Sequence, residues 1–295
     1  MIPGDRPPTT EAPIPGGFPL DAHLHTELSP DSSVPIDVYA ASAAERSVAE
    51  IAITDHLDFT PGAPAYRHPG FAARERYVRG AAERWSDRVA IRFGVEITYE
   101  RSREGEIREF LRRHRFDYVI GSVHVYAGSV YEPDRVAGHI AGRSLGDILE
   151  PYLVELGGAI RSRLFDTIGH FDYVKRYLFP HITPAQLARA PELYEETLRE
   201  LVMSGAALEV NTSGLRQSPG ETYPSPAIVA HYRELGGARV TVGSDAHRPE
   251  WFAFGLEEGY AAVARAGFEA LSVRRDTSGF VAVPVPRRLL RRGAA

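Results

Sequence analysis

The stretch Asp21-Ala22-His23-Leu24-His25, which follows the apolar run Gly17-Phe18-Pro19-Leu20, decides how this chain is interpreted. Alternate side chains of an extended strand share one face, so Asp21, His23 and His25 point to the same side. Two imidazoles on one face can bind a single metal ion. The same pattern also fits two polar histidines on an ordinary strand, and the other motifs of the chain decide between these interpretations.

The composition is ordinary for a globular protein, with 43% hydrophobic and 25% charged residues among 295. The net charge of -5 gives no indication of a polyanionic partner. Because there is no cysteine, disulfides, thiolate nucleophiles and cysteine-based zinc sites are excluded, and any metal must be bound by His, Asp or Glu. No apolar run approaches the roughly 20 residues that span a bilayer, and no signal-peptide pattern is present, so we expect a cytoplasmic protein without a membrane partner.

Three segments are expected along the chain. Residues 1–17 carry prolines at positions 3, 7, 8, 13 and 15 and predict a flexible leader. Residues 18–283 predict one domain of a length that α/β barrels commonly have. Residues 284–295 form a basic tail, for which a solvated terminus is the simpler interpretation and nucleic-acid contact the alternative.

Short apolar or β-branched runs alternate with segments of helical periodicity between these ends. The predicted strands are Phe18 to Leu20, Ile51 to Thr54, Ala90 to Val95, Tyr118 to Gly121, Thr167 to Gly169, Ala207 to Val210 and Arg239 to Val242. The predicted helices lie around residues 36–47, 70–85, 104–114, 145–162, 184–204, 225–236 and 257–266. Seven strand–helix alternations predict a parallel α/β fold, and a closed seven-stranded (β/α) barrel fits this count better than an open sheet.

A potential metal ligand follows each predicted strand within a few residues, and the carboxyl ends of barrel strands converge on one face. These residues are His23, His25, Asp55, His56, Glu96, His124, His170, Glu209, Asn211, Asp245 and His247. The other histidines are interpreted as surface residues: His68, His114, His139, His181 and His231.

Imidazoles mixed with carboxylates favour Zn, Fe, Mn or Co over Mg or Ca. This many ligands predicts two or three ions that share a bridging carboxylate, for which Glu96 is the best candidate. Clustered ions of this kind lower the pKa of bound water towards ~7 and bind the oxygens of a phosphoryl group. A single structural metal would leave most of these ligands unexplained.

Six motifs together resemble the polymerase and histidinol phosphatase superfamily. In chain order they are Asp21-Ala22-His23-Leu24-His25, Thr54-Asp55-His56, Gly94-Val95-Glu96, Gly121-Ser122-Val123-His124, Gly169-His170 and Gly243-Ser244-Asp245-Ala246-His247. The resemblance runs from about residue 20 to 260 and implies a distorted, TIM-like (β/α) barrel with three divalent ions (Zn, Fe or Mn) at the carboxyl ends of the strands.

The resemblance also implies which residues bind each ion. The first ion would be bound by His23, His25, Glu96 and Asp245, and the second by Glu96, His124 and His170. The third would be bound by Asp31, His56 and His247. Many members of the superfamily have a histidine where this chain has Asp31, which is an accepted alternative.

Two stretches resemble the histidinol-phosphate phosphatase branch of the superfamily, namely Glu209 to Arg216 with Tyr223-Pro224-Ser225, and Gly169 to Tyr177. They imply that Arg216 and Arg176 bind phosphate, and the arginine fork suits phosphate oxygens. Lys175, the only lysine of the chain, competes with Arg176 for this role. Asp245 would orient the attacking water or take up its proton.

The activity implied is hydrolysis of L-histidinol phosphate to L-histidinol and phosphate, a step of histidine biosynthesis. The alternative within the superfamily is a phosphoesterase or exonuclease acting on nucleotides or another small phosphate ester, but the chain lacks a basic groove signature, so no nucleic-acid partner is expected. A catalytically silent metal-binding module is a third possibility, against which the complete ligand set argues.

Overall fold

The structure is a computed structural model that describes residues 17–66, 70–125, 128–276 and 279–290. Residues 1–16 of the predicted leader and the end of the predicted tail lie outside the described residues. Within these described residues, eight parallel strands form one sheet. They are β1 Asp21–Leu24, β2 Glu50–Ile53, β3 His56–Leu57, β4 Ala90–Thr98, β5 Tyr118–Ser122, β6 Thr167–Ile168, β7 Ala207–Asn211 and β8 Val240–Gly243.

Seven of these strands follow one another in the order β1-β2-β4-β5-β6-β7-β8, and β3 pairs with β4. The two ends of this path meet, because the amide of Asp245 donates to the carbonyl of His23 at 2.8 Å and the amide of His25 donates to that of Ala246 at 3.0 Å. The sheet is thus a nearly closed barrel, and the predicted seven-stranded α/β barrel is confirmed.

The helices interleave with the strands, as a parallel sheet requires. They are α1 Ile36–Arg46, α2 Phe71–Arg84, α3 Glu104–Arg113, α4 Val136–Ile140, α5 Leu145–Ser162, α6 Val174–Leu178, α7 Pro184–Leu187, α8 Glu195–Ser204, α9 Pro226–Glu234, α10 Leu256–Arg265 and α11 Arg287–Leu290.

Two predicted elements differ from the structure. The first strand was predicted at Phe18 to Leu20, but β1 begins at Asp21, so the polar residues of the opening motif are themselves the strand. The helix predicted over 184–204 is divided into α7, a 3₁₀ turn at Pro191–Tyr194 and α8. Pro191 disfavours helical backbone at the preceding Ala190, which has φ −131° and ψ 56°, and it has no amide hydrogen, so a continuous helix is interrupted.

The chain after α10 forms a hairpin of two antiparallel strands, β9 Ala270–Arg274 and β10 Phe280–Pro284. This hairpin was not predicted. The part of the predicted basic tail that is described packs on the barrel, because Val285 and Leu289 are buried and Arg288 forms an ion pair with Glu257 at 3.2 Å. A solvated tail was expected there, and these two apolar side chains account for the difference.

Candidate metal centre

The predicted ligands converge at the carboxyl end of the barrel. His23 lies in β1, His56 in β3 and Glu96 in β4, while the other ligands lie in the loops that follow β1, β5, β6 and β8. An open cavity of about 520 Å³ lies above them. Its walls include Asp31, His56, Glu96, His124, Asp245 and His247, and His23, His25 and His170 are buried beneath.

The first ligand group contains His23, His25, Asp245 and Glu96. The Nε2 atoms of His23 and His25 lie 2.9 Å apart, and that of His25 lies 3.3 Å from Asp245 Oδ1. Glu96 Oε2 lies 3.4 Å from His23 Nε2 and 3.5 Å from His25 Nε2. Ligand atoms around a tetrahedral ion with bonds of ~2.0–2.1 Å are separated by roughly 3.3 Å, so these four side chains have the spacing of one ion's ligands.

A second group lies on the other oxygen of Glu96. Its Oε1 is 3.0 Å from His170 Nε2 and 3.6 Å from His124 Nε2, and it accepts a hydrogen bond from the Ser122 hydroxyl at 2.5 Å. The two carboxylate oxygens of Glu96 therefore face different histidines, which is the arrangement that a bridging ligand requires.

The third group is nearest to solvent. Asp31 Oδ2 lies 3.2 Å from His247 Nε2 and 3.4 Å from His56 Nε2. The other ring nitrogen of His56 lies 2.8 Å from Glu96 Oε2. His56 is thus positioned between this group and Glu96.

Metal ligands must be deprotonated, and the pKa shifts of the proposed ligands differ in direction. Against burial, the carboxylates of Glu209, Asp245 and Glu96 raise the pKa of His23 well above its ordinary value, and Glu96 and Asp31 do the same for His56, so both rings must release a proton when an ion binds. Burial lowers the pKa of His124 to about 4, and burial together with His247 and His56 holds the pKa of His25 well below its ordinary value. Burial would raise the pKa of Glu96, but the His56 and His23 rings hold it well below its usual range. Glu96 Oε2 is buried and, within the described residues, forms no hydrogen bond of good geometry, although His56 Nδ1 lies 2.8 Å away. A cation among these side chains would satisfy that oxygen, and the site is able to bind metal ions.

A second layer of polar groups orients the histidines through their Nδ1 atoms. His23 Nδ1 lies 2.6 Å from Glu209 Oε1. His25 Nδ1 lies 3.1 Å from the Ser29 hydroxyl, which donates to Asp55 at 2.9 Å. Because that hydroxyl proton goes to Asp55, Ser29 accepts from His25 Nδ1, and Nε2 keeps its lone pair for a metal.

His124 has the same arrangement on the opposite wall. Its Nδ1 lies 3.1 Å from the Thr98 hydroxyl, which donates to Asp58 Oδ1 at 2.7 Å. Thr98 and Asp58 were not singled out from the sequence. The signal available for Asp58 is its position two residues after His56, since alternate residues of extended chain share a face.

Three residues counted as possible ligands lie behind the histidines instead. Asp55 binds Ser29 and also the amide and hydroxyl of Thr26, at 2.6 Å and 2.8 Å. Glu209 Oε2 accepts from the amide of His170 at 2.8 Å and from Asn211 Nδ2 at 3.2 Å. These side chains position ligands, and their own oxygens are occupied by hydrogen bonds.

Backbone geometry also shapes the centre. His170 has a φ of 26° and Asp245 a φ of 53°, values that non-glycine residues adopt only when the surroundings hold them. At Gly243, a Cβ atom would lie 2.4 Å from the Cβ of His23. Only glycine allows β8 to approach β1 this closely, which brings Asp245 to the two histidines.

Of the three predicted phosphate-binding residues, the two arginines line the cavity. Arg216 lines the cavity and is only 2% exposed, and it donates to the carbonyls of Ser244 at 2.8 Å and Asp245 at 2.6 Å. Arg176 also lines the cavity and donates to the Tyr173 hydroxyl.

Lys175 is not brought to this wall. Its buried ammonium group donates to Asp172 and Glu221, each at 2.9 Å, and to the carbonyl of Thr222 at 2.7 Å. These three bonds use all three donors of a lysine, so of the two competing residues it is Arg176 that faces the cavity.

One of the histidines assigned to the surface is in fact buried. His139 is 8% exposed, and its Nε2 lies 3.1 Å from the carbonyl of Ile148. It lies in α4, a helix that the sequence periodicity did not reveal, and the start of α5 covers it.

None of the helices in the described part of the chain is long and apolar enough to cross a membrane.

Comparison with known proteins agrees with this barrel. Residues 21–213 match the PHP domain family. A probable histidinol-phosphatase of Deinococcus radiodurans is 30% identical over 232 residues, which cover 78% of this chain and 86% of that protein. The histidinol-phosphatase of Lactococcus lactis is 27% identical over 264 residues, or 86% of this chain and 93% of that protein.

A solved structure resembles the fold as a whole. It is a histidinol phosphate phosphatase from Lactococcus lactis in complex with Zn, L-histidinol and phosphate, with a TM-score of 0.75, 23% identity, and coverage of 89% of this chain and 98% of that one. The fold and the ligand groups define a metal-binding α/β barrel. The chain belongs to the PHP domain family.

Proposed function

We propose that this protein is a metal-dependent histidinol-phosphatase that hydrolyses L-histidinol phosphate to L-histidinol and phosphate. The observation that carries the proposal is the position of Glu96, whose two carboxylate oxygens face different histidines, beneath a cavity that Arg176 and Arg216 line. Its relatives from Deinococcus radiodurans and Lactococcus lactis bear the name histidinol-phosphatase, which supports the choice of substrate.

Three divalent ions, Zn, Fe or Mn, would be bound by the three groups. His23, His25, Glu96 and Asp245 would hold the first ion. Glu96, His124 and His170 would hold the second, and Asp31, His56 and His247 the third. When bound, such ions lower the pKa of water and neutralise charge on the phosphoryl oxygens.

The side chains of the protein supply orientation and charge. Arg216 and Arg176 place two positive charges at the cavity wall, where they stabilise the phosphate and the charge that develops during transfer. Because Arg216 also holds the carbonyls of Ser244 and Asp245, it couples the phosphate position to the loop that carries Asp245.

Asp245 is the residue that we assign to proton transfer. Its Oδ1 faces His25, while its Oδ2 accepts from Asn211 Nδ2 at 3.3 Å. This second bond fixes the carboxylate plane, so that Asp245 orients the attacking water and takes up its proton as the bond to phosphorus forms. Proton donation to the leaving alkoxide falls to solvent in this scheme.

A substrate panel tests the proposal. Protein supplied with Zn or Mn is assayed with L-histidinol phosphate, p-nitrophenyl phosphate, nucleoside monophosphates and single-stranded DNA. We expect kcat/KM to be highest for L-histidinol phosphate, by about 100-fold or more over the generic ester, because binding energy outside the phosphate contributes to selection. A higher value for a nucleotide or for DNA would instead identify a nucleotide phosphoesterase or exonuclease.

Arginine variants in the same assay test the assigned phosphate contacts. Arg216→Lys is expected to lower kcat/KM by about 100-fold, because an ammonium group cannot reproduce the planar fork that spans two acceptors. Arg265→Lys, on the exposed side of α10, is the control and should match the wild type. Equal activity of the Arg216 variant and the control would exclude Arg216 from the phosphate site.

A further inference from the structure

One carboxylate of the cavity wall is not used by the proposed metal sites. In the part of the wall that the structure describes, the acidic residues are Asp31, Asp58, Glu96 and Asp245. Three of them are assigned to ions that neutralise their charge. Asp58 is the fourth, and a negative charge at a substrate cavity favours a cationic group of the ligand.

The Asp58 carboxylate is held rigidly. It is 6% exposed, its Oδ1 accepts from the Thr98 hydroxyl at 2.7 Å, and its Oδ2 accepts from the amide of Ala65 at 3.0 Å. Each carboxylate oxygen can accept two hydrogen bonds. Asp58 therefore retains acceptor capacity on both oxygens while its orientation is already determined.

The distance of Asp58 from the metal centre suits the proposed substrate. Thr98 joins it to His124 by two hydrogen bonds of 2.7 Å and 3.1 Å, so the carboxylate lies one side chain away from a ligand of the second ion. In L-histidinol phosphate only three bonds, of ~1.5 Å each, separate the ester oxygen from the amino nitrogen. A phosphate at the ions therefore places the ammonium group close to this wall.

We infer that Asp58 is a specificity-determining residue that binds the ammonium group of the substrate, an inference that rests on the proposed function. An ammonium bound to a buried carboxylate makes a charge-assisted hydrogen bond, which is roughly twice as strong as a neutral one. Phosphate esters without a neighbouring amine leave the Asp58 charge without this partner and are selected against.

The chain contains a matched control for Asp58. Asp55 occupies the equivalent position behind His25, where it accepts from the Ser29 hydroxyl as Asp58 accepts from Thr98. Asp55 is buried at 2% exposure and is not part of the described cavity wall. Its loss disturbs a metal ligand in the same way but removes no contact to the substrate.

The experiment compares kcat/KM for L-histidinol phosphate with that for 3-(imidazol-4-yl)propyl phosphate, which lacks only the amine and the stereocentre that the amine creates. We expect the wild type to prefer the amine by about 10–100-fold, the value of one charged hydrogen bond. In Asp58→Asn this ratio falls towards one. In Asp55→Asn both values fall together and the ratio stays at the wild-type level.

The possible results separate the inference from the function on which it rests. The role of Asp58 would be overturned if the wild type hydrolysed both esters with a kcat/KM ratio near one, or if Asp58→Asn kept the wild-type ratio. Either result would leave the proposed phosphatase activity intact. Failure to hydrolyse either ester would overturn both. If Asp58→Asn does not fold, competitive inhibition of the wild type by L-histidinol is compared with inhibition by 3-(imidazol-4-yl)propan-1-ol. We expect L-histidinol, which has the amine, to inhibit about 10-fold more strongly. Equal inhibition by the two alcohols would contradict the inference.

Discussion

Single atoms of the histidine rings determine what this centre can bind. The Nδ1 atoms of His23, His25, His124 and His247 each lie within hydrogen-bond distance of a glutamate, a hydroxyl or a backbone carbonyl. This directs Nε2 of each ring towards the carboxylates. We therefore expect the supporting residues to matter for metal binding as the proposed ligands do.

Glu209→Gln tests this support. A glutamine keeps one oxygen, but its NH₂ group must then face either His23 Nδ1 or the donors of His170 and Asn211 that Glu209 now accepts. We expect metal affinity or kcat to fall by about 10–100-fold, the usual effect of losing such a partner. Metal content and steady-state kinetics measure the change.

The control for this variant is Glu83→Gln, which changes an exposed glutamate of α2 and should retain wild-type metal content and kcat. Equal metal content and turnover in the Glu209 and Glu83 variants would show that His23 does not depend on this carboxylate.

Elements with a periodic apolar face were mostly predicted to within a few residues, whereas strand β1, which carries buried polar side chains, was not. The strand from Tyr118 and the helix over 145–162 agree with β5 and α5, because burial on one face leaves a periodic signal. Strand β1 was displaced, since its Asp21 and His23 are buried polar groups whose partners lie elsewhere in the chain. Asp21, for example, accepts from the amide and hydroxyl of Ser244 at 2.8 Å and 2.6 Å.

The segment between α5 and β6 contains a carboxyl group with a distinctive pH dependence. Burial raises the pKa of Asp166 to about 6, against the opposing effect of Arg274. A raised pKa means that the folded state keeps this proton more tightly than the unfolded state. The contribution to stability is therefore complete below about pH 4 and is lost as the pH rises through about 6.

Comparison with Asp166→Asn isolates this effect. We expect the unfolding free energy of the wild type, relative to the variant, to fall by roughly 2–3 kcal/mol between pH 4 and pH 7. Denaturant unfolding of the two proteins across that range measures it. A difference in unfolding free energy that is constant with pH would contradict the account. Arg274→Gln removes the charge that opposes the shift, so the loss of stability with rising pH should be larger in that variant than in the wild type.

The whole barrel is required to assemble the centre. Its proposed ligands extend from His23 to His247, and the first and last of these lie on either side of the seam where β1 meets the segment after β8. An ion bound at this seam would join the two ends of the barrel. Because such an ion binds only the folded chain, it adds to the stability of the fold.

Removal of the ions is accordingly expected to lower the melting temperature as well as abolish turnover. An ion present at 100 times its Kd contributes about 2.7 kcal/mol, which corresponds to a shift on the order of 5–10 °C for a domain of this size. Thermal unfolding is measured before chelation, after it, and after addition of Zn or Mn. Chelator presaturated with Zn is the control. If the metal-free protein kept full activity and an unchanged melting temperature, neither the fold nor the reaction would depend on metal.

The sequence by itself determined the barrel class and the set of side chains that meet at its open end. Both follow from local information, because apolar periodicity defines strands and helices, and the carboxyl ends of parallel strands must converge. Only the tertiary structure decided which of these side chains face a common ion and which stand behind them. Asp55, Glu209 and Asn211 have the chemistry of ligands, yet their oxygens and amides are committed to partners distant in sequence. Hydrogen bonds of that kind depend on how the strands are placed side by side, and no local pattern encodes them.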